Sequence, residues 1–264
     1  MLKLLADEES SPLVLENETG RSRAVLVCEH GGGLFPERLG RLGLSEIDAK
    51  RHFVWDLGAL DLARAMSGRL DAPLVHQRYS RLICDCNRKT SVPSFIPENA
   101  EEMQVPGNAD LTQTERAARI GEIWQPFHDG LAAFLDRRAQ TVPDTVLISV
   151  HSFTPVFHGE KRSLHVGLLC DRSRAMSELM YSALKPSLGD RIAMNQPYVM
   201  NREHDYTIPV HGEDRGLHCA EIELRNDLLA LPARIEEWAN KLCRAIDACI
   251  AALPGTRHRS EARR

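Results

Sequence analysis

The chain has 264 residues, of which 43% are hydrophobic and 27% are charged, and its formal net charge is −4. This composition is that of an ordinary soluble globular protein and excludes a largely disordered chain. The small negative charge argues against a nucleic-acid partner, which would need a concentrated basic surface, and favours a small-molecule ligand.

The termini and the cysteines indicate a cytoplasmic protein. The N-terminal segment MLKLLADEESSP has a short apolar stretch that turns acidic at once, which fits neither a signal peptide nor a membrane span. The seven cysteines lack the paired spacing of structural zinc sites, so we expect them to be reduced and buried. Residues 1–264 are expected to form a single domain with a core at about 20–253 and a disordered tail at 254–264.

The first predicted strand, RAVLVCEH (23–30), ends in a histidine that precedes three glycines. Glycines at this place let the backbone approach a ligand closely, and a strand-end histidine can ligate a metal ion. The alternative is that His30 hydrogen-bonds a carbonyl group while the glycines form a tight turn. For this motif alone the alternative is the commoner case.

The second strand is predicted at 72–86, after a helix at 56–70 that Asp56 precedes in the segment FVWD. The strand leads into Asn87 and Arg88, an amide beside a guanidinium whose planar fork matches a carboxylate. These two side chains therefore resemble an anion-binding pair. A surface salt bridge and a turn cap are the plain alternative.

The segment from 89 to 140 is predicted to be a long loop followed by a helix. The loop at 89–110 is long enough to suggest a flap or binding loop. The helix at 111–140 begins with a capping-box pattern, Thr112 with Glu115, and its His128 is expected in the core.

The third strand, DTVLISVH (144–151), also ends in a histidine. Two strand-end imidazoles on neighbouring strands are the usual start of a first-row metal site, and a catalytic zinc needs a third protein ligand, often a carboxylate. The candidates for this ligand are Glu29, Glu37 and Asp56. We prefer Asp56, because Glu29 adjoins His30 and points to the opposite face of the strand unless the turn has already begun.

The remaining elements are a strand at 164–171, a helix at 173–188, a loop at 198–216, a strand at 216–224 and a helix at 231–253. Tyr206 lies in the loop, which is suited to covering a site. In AEIELRND the alternation puts Glu221, Glu223 and Arg225 on one face. Glu223 could act as a general base while Arg225 orients the substrate, although a half-exposed edge strand explains the same pattern.

The alternation of strands and helices predicts an α/β fold with a mixed, mostly parallel sheet and helices on both faces. Ligands of such sheets bind beyond the carboxyl ends of the strands, where polar residues collect in this sequence. The motifs GxSxG, GxGxxG and the P-loop are missing, so serine hydrolases, dinucleotide enzymes and nucleotide-binding proteins have no support.

Six motifs in order and spacing resemble the N-formylglutamate amidohydrolase family over roughly residues 20 to 250. They are CEHGGG, FVWDLGA, SRLICDCNR, SVHSFTP, YTIPVHGEDRG and EIELRNDLL. The resemblance implies a phosphorylase/hydrolase-like fold similar to that of zinc carboxypeptidases and aspartoacylase-type amidohydrolases. It also implies Zn²⁺ as the cofactor and an N-acyl amino acid as the substrate.

The resemblance also implies roles for particular residues. His30 and His151 look like zinc ligands, and Glu223 looks like the glutamate that activates water. Arg81 looks like the arginine that stabilises the oxyanion, although its spacing to the Asn-Arg pair is one residue short of the aspartoacylase pattern. Gly33 stands where HxxE sites have a glutamate, so either Asp56 or Glu29 replaces that ligand.

The carboxylate of the substrate would be held by Asn87 and Arg88, while Ser152 beside His151 would shape the pocket. The resulting hypothesis is metal-assisted hydrolysis of N-formyl-L-glutamate to formate and glutamate. Hydrolysis of another N-acyl amino acid or a short peptide is the first alternative. The second is a non-catalytic metal-binding or small-anion-binding protein.

Overall fold

A seven-stranded mixed sheet forms the centre of the computed structural model, which describes residues 3–254. In spatial order its strands are β1 (Leu13–Glu16), β3 (Leu74–Gln77), β2 (Ala24–Cys28), β6 (Val146–Phe153), β11 (His218–Arg225), β9 (Val166–Leu169) and β10 (Ile192–Met194). Strands β3, β2, β6 and β11 are parallel to one another, as is β9 to β10, whereas β1 and β9 run antiparallel to β3 and β11. The predicted mixed, mostly parallel sheet is confirmed.

Helices cover both faces of this sheet, as predicted. They are α1 (Ala59–Leu70), α2 (Gln113–Arg119), α3 (Gln125–Ala139), α4 (Ala175–Leu188) and α5 (Pro232–Ala252). The hydrophobic core between the sheet and α1, α4 and α5 is separate from the core beneath α3. Successive side chains of β2 alternate between the two cores, with Leu26 and Cys28 in the first and Val25 and Val27 in the second.

Two departures from the predicted elements affect the site. The strand expected at 72–86 ends at Gln77, whose side-chain oxygen accepts hydrogen bonds from the backbone N–H groups of Arg78 and Tyr79 and so begins a turn. Arg81 therefore lies on a turn, where the strict alternation of a strand does not apply. The helix expected at 111–140 does begin with its capping box, but a π-helical segment, Ile120–Trp124, separates α2 from α3.

Two short hairpins stand near the carboxyl ends of the central strands. The first, β4 (Asn99–Ala100) with β5 (Met103–Gln104), belongs to the long loop predicted as a flap. The second, β7 (Val156–Phe157) with β8 (Glu160–Lys161), directly follows β6. His158 Nδ1 in the second hairpin lies 3.9 Å from a carboxylate oxygen of Glu102 in the first, so the two hairpins approach each other.

The seven cysteines are free and buried, as predicted. Among residues 3–254 we find no helix with the length and apolarity that a bilayer crossing requires. The prediction of a disordered tail concerns residues 254–264 and, beyond Pro254, lies outside the described residues.

Candidate active site

Three buried side chains from different parts of the chain meet at the carboxyl ends of the central strands. His30 follows β2, Asp56 precedes α1, and His151 lies near the end of β6. One ligand atom from each lies within 4.8 Å of the others. The backbone N–H of Asp56 donates to the carbonyl of His30 over 2.9 Å, which fixes the two residues to each other.

The two imidazoles present their Nδ1 atoms to Asp56. The Oδ2 atom of Asp56 lies 3.4 Å from Nδ1 of His30 and 2.8 Å from Nδ1 of His151. Their distal Nε2 atoms each face another carboxylate, Asp85 at 2.6 Å for His30 and Glu29 at 3.2 Å for His151. A carboxylate behind the distal nitrogen is what orients metal-binding histidines and leaves the other nitrogen free for the ion.

These residues fit a divalent metal ion. Nδ1 of His30 is buried and makes no hydrogen bond with any residue from 3 to 254. A lone pair of this kind is costly to bury unless a donor or a metal ion faces it. Two imidazoles and one carboxylate form a donor set that suits zinc and the neighbouring first-row metals.

Of the three candidate carboxylates, the structure brings Asp56 to the Nδ1 atoms. Glu37 is exposed in a short 3-10 turn. Glu29 is fully buried behind His151, where Ser149 donates a hydrogen bond to it over 2.7 Å. The expected opposite orientation of Glu29 does not occur, because β2 ends at Cys28 and the turn has begun before His30.

The charges of this cluster stabilise one another. Burial alone would raise the pKa of Glu29, but the charge of His151 and hydrogen bonds from His151 and Ser149 lower that pKa to about 2. Burial likewise opposes ionisation of Asp56, yet the charge of His30 and a hydrogen bond from His151 lower the pKa of Asp56. Glu221 and Glu29 overcome the effect of burial on His151 and raise its pKa.

Glu223 stands beside the cluster with a free oxygen. It pairs with His151 in the register of β11 against β6, and it is only 5% exposed. Its Oε2 atom makes no hydrogen bond with the described residues, and burial raises the pKa of Glu223 well above the ordinary value. Such a carboxyl group can exchange a proton with a ligand in the cavity.

A cavity of about 480 Å³ opens above these groups. Arg81 lies in its wall and donates to Asp85 over 2.5 Å, and a second guanidinium nitrogen lies 3.5 Å from Asp56. The charges of Asp85 and Asp56 overcome the effect of burial and raise the pKa of Arg81. The predicted oxyanion arginine is therefore a fixed positive charge beside the cluster.

Asn87 and Arg88 also line the cavity, and both already have protein partners. The side-chain amide of Asn87 donates to Glu221 over 3.1 Å, and its oxygen accepts the N–H of Thr207. Nη1 of Arg88 donates to Asp205, while the described residues offer no hydrogen-bond partner to its Nε and Nη2. The predicted anion pair thus keeps free donors on Arg88 alone.

The other predicted substrate contacts divide into one that lines the cavity and two that do not. Ser152 lines it, with its N–H donating to Asp56 and its hydroxyl donating to the carbonyl of Leu57. Arg225 and Tyr206 are absent from the cavity wall. The guanidinium of Arg225 is bound by Asp227 two residues later, so the predicted substrate contact is replaced by an ion pair.

Tyr206 is held away from the cavity by other aromatic side chains. Its ring packs against Trp124 at 4.7 Å and His128 at 4.4 Å between centroids. His128 in turn lies 3.0 Å from His211 through ring nitrogens, and both histidines are buried. His128 is thus in the core, as expected, and Tyr206 packs with it rather than covering the site.

Sequence reasoning missed the second layer of the site. Asp85 ends CDC and looked like one more polar strand-end residue, but in the structure it contacts His30, Arg81 and the N–H of Asn87. The aromatic part of the wall, including Phe157 and Tyr198, carried no sequence signal, because a hairpin and a distant loop bring it there.

Comparisons with known proteins agree with this site. A family model described as N-formylglutamate amidohydrolase matches residues 22–230. The solved structure of a gene product from Agrobacterium tumefaciens is 33% identical, with a TM-score of 0.91 over 95% of this chain and 99% of that chain. No curated protein matches significantly in sequence. An N-formylglutamate amidohydrolase from Ralstonia eutropha JMP134 has the same fold, with 18% identity and a TM-score of 0.59 over 92% and 97% of the two chains.

Proposed function

Because the chain belongs to the N-formylglutamate amidohydrolase family, as its motifs predicted, it is a hydrolase of amide bonds, and we propose that its substrate is N-formyl-L-glutamate or a similar N-acyl amino acid. The products would be the free amino acid and formate, or the corresponding carboxylate. The free buried cysteines support our further proposal that it works in the cytoplasm.

The observation that carries the proposal is the meeting of His30, Asp56 and His151 beside Glu223 at the floor of one cavity. We propose that the three hold a zinc ion. When bound, such an ion supplies Lewis-acid chemistry, which makes water a better nucleophile at neutral pH and polarises a carbonyl group. Asp85 and Glu29 keep the two imidazoles oriented for this purpose.

Glu223 moves the proton in this proposal. Its free Oε2 atom accepts the proton of the attacking water. Since burial raises the pKa of Glu223, the carboxyl group holds that proton and then donates it to the leaving nitrogen of the substrate. A carboxyl group with an ordinary pKa would hold the proton less well.

Arg81 and Arg88 bind the two charged parts of the reacting substrate. The guanidinium of Arg81, fixed by Asp85 and Asp56, stabilises the oxygen on which negative charge develops. The free Nε and Nη2 atoms of Arg88 bind the substrate carboxylate, and Asn87 holds the adjoining loop against Glu221.

Formate release tests the substrate. Metal-loaded protein is expected to release formate from N-formyl-L-glutamate at least about tenfold faster, in kcat/KM, than from an uncharged N-formylalkylamine, because only the former carries the carboxylate. Arg88→Ala should remove most of this preference, whereas Arg41→Ala at an exposed site should keep it. Equal rates on the charged and uncharged substrates would contradict the proposal.

A further inference from the structure

One guanidinium beside the cavity has no acidic partner. Arg81, Arg88 and Arg225 each pair with a nearby aspartate. Arg162, which follows β8, forms no ion pair with any carboxylate of residues 3–254. A partly buried cation without a counter-ion is a binding group for an anion.

Three aromatic rings of the cavity wall hold this guanidinium. Its central carbon lies 4.4 Å from the ring centre of Phe157, 5.3 Å from that of Tyr198 and 5.6 Å from that of Phe153. Nη1 lies 3.3 Å from the hydroxyl of Tyr198 and 3.5 Å from the carbonyl of Thr154. Nε and Nη2 have no hydrogen-bond partner within the described part of the chain. The rings fix the plane of the group and leave one edge of its fork free.

The backbone of Arg162 is tied to the strand that carries Glu223. Its N–H donates to the carbonyl of Pro155 over 2.8 Å, and its own carbonyl accepts from Nη1 of Arg225 over 2.7 Å. Arg225 lies two residues after Glu223 on β11. The free fork is thus held in place relative to the proton acceptor by Arg225, which acts as a positioning residue.

We propose that Arg162 binds a second carboxylate of the substrate, so that the cavity selects N-acyl derivatives of dicarboxylic amino acids. This inference rests on the proposed function, in which Arg88 binds the first carboxylate. The planar fork of Arg162 matches a carboxylate bidentately, and the surrounding rings lower the local dielectric, which strengthens the pairing. A substrate with one carboxylate leaves one of the two guanidinium groups without an anion.

The competing explanation is that Arg162 only fastens the β7–β8 hairpin through its aromatic contacts. In that case its removal lowers stability but leaves the choice among substrates unchanged. Substrate preference, rather than total activity, therefore separates the two explanations.

The experiment compares N-formyl-L-glutamate with its two monoamides, N-formyl-L-glutamine and N-formyl-L-isoglutamine, on the metal-loaded full chain. In Arg162→Gln, the preference for the diacid over one monoamide is expected to fall at least about tenfold, through KM rather than kcat. Arg88→Gln should reduce the preference over the other monoamide, and Arg41→Gln neither. Unchanged preferences in Arg162→Gln would overturn the inference, even if the wild type hydrolyses N-formyl-L-glutamate.

Calorimetric binding of glutarate and glutaramate gives a readout that needs no turnover. The wild type is expected to bind glutarate at least about tenfold more tightly than glutaramate, and Arg162→Gln less than about threefold. If no N-formyl amino acid is cleaved, the proposed function fails, and this comparison alone decides on Arg162. Should Arg162→Gln not fold, Arg162→Lys keeps the charge without the fork. A fall in its glutarate preference supports the inference, and an unchanged preference overturns it.

Discussion

Glu223 is the residue on which the proposed chemistry depends most. Glu223→Gln keeps the size of the side chain but cannot accept a proton, so kcat should fall about 10²- to 10⁴-fold. The metal content should stay at the wild-type level, because the ligands proposed for the ion are His30, Asp56 and His151. Steady-state formate release and metal analysis on the same preparation check this prediction.

A control at an exposed glutamate, Glu46→Gln, should retain full activity. If Glu223→Gln keeps kcat within about threefold of the wild type, another group moves the proton. A variant that loses metal and activity together would show instead that Glu223 supports the ligands.

Asp85 is expected to control the affinity for the metal without touching the ion. It accepts from Nε2 of His30 over 2.6 Å, and the charges of Arg81 and His30 overcome the effect of burial and lower the pKa of Asp85. Removing that charge in Asp85→Asn should weaken metal binding about 10- to 100-fold, because the imidazole becomes less basic and less well oriented. Competition with a metal-chelating dye measures this affinity.

Asp110→Asn, at an exposed position, is the matched control and should bind metal like the wild type. Equal metal affinity in Asp85→Asn and the wild type would mean that the contact with His30 has no part in the site.

At the scale of elements, the apolar runs that become β2, β6 and β11 were predictable, because buried parallel strands read as continuous hydrophobic segments. The register was not, since the pairing of Glu223 with His151 joins residues far apart in sequence. The end of β3 at Gln77 was also beyond the sequence pattern. It depends on a side chain that accepts two backbone N–H groups and so competes with the sheet ladder.

The two π-helical segments place a buried histidine pair beside the site. His211 lies within Thr207–Glu213, and His128 follows Ile120–Trp124 by one turn of α3. Burial, together with the neighbouring His211, lowers the pKa of His128 to about 3, and burial and Arg215 lower that of His211 to about 4. Both rings are therefore neutral in the folded chain at neutral pH.

This pair should make the fold sensitive to mild acid. An unfolded histidine titrates near 6.5, so the stability that the neutral rings provide is complete above that pH and is lost as the pH falls from 6.5 toward 4 and 3. By pH 5 each histidine should account for a loss of about 2 kcal/mol in the free energy of unfolding. Denaturant unfolding at pH 7 and pH 5 measures it.

His211→Gln keeps a hydrogen-bonding side chain beside His128 but removes one titrating ring. Its loss of stability between pH 7 and pH 5 should be smaller than that of the wild type by about 2 kcal/mol. The difference between the two proteins isolates the ring from other titrating groups. Parallel pH profiles for both would refute the prediction.

At the scale of the whole molecule, the sheet brings distant parts of the chain to one edge. The carboxyl ends of β2 and β6 deliver His30 and His151, and the segment before α1 delivers Asp56. Two strand-end histidines were recognisable in the sequence because each ends an apolar run. The side chains that orient them were not, since Asp85 and Glu29 act through contacts that only the folded chain creates.

Such a site exists only in the folded chain, so metal binding and folding should be linked. The measurement that tests the account most directly is the metal-to-chain ratio, together with formate release from N-formyl-L-glutamate, for the wild type and Asp56→Asn before and after chelation. We expect about one divalent ion per wild-type chain, activity that chelation abolishes and zinc restores, and at least about tenfold weaker metal binding in Asp56→Asn. A wild-type protein that releases formate undiminished after its metal is removed, or an Asp56→Asn protein that holds metal as tightly as the wild type, would contradict the account.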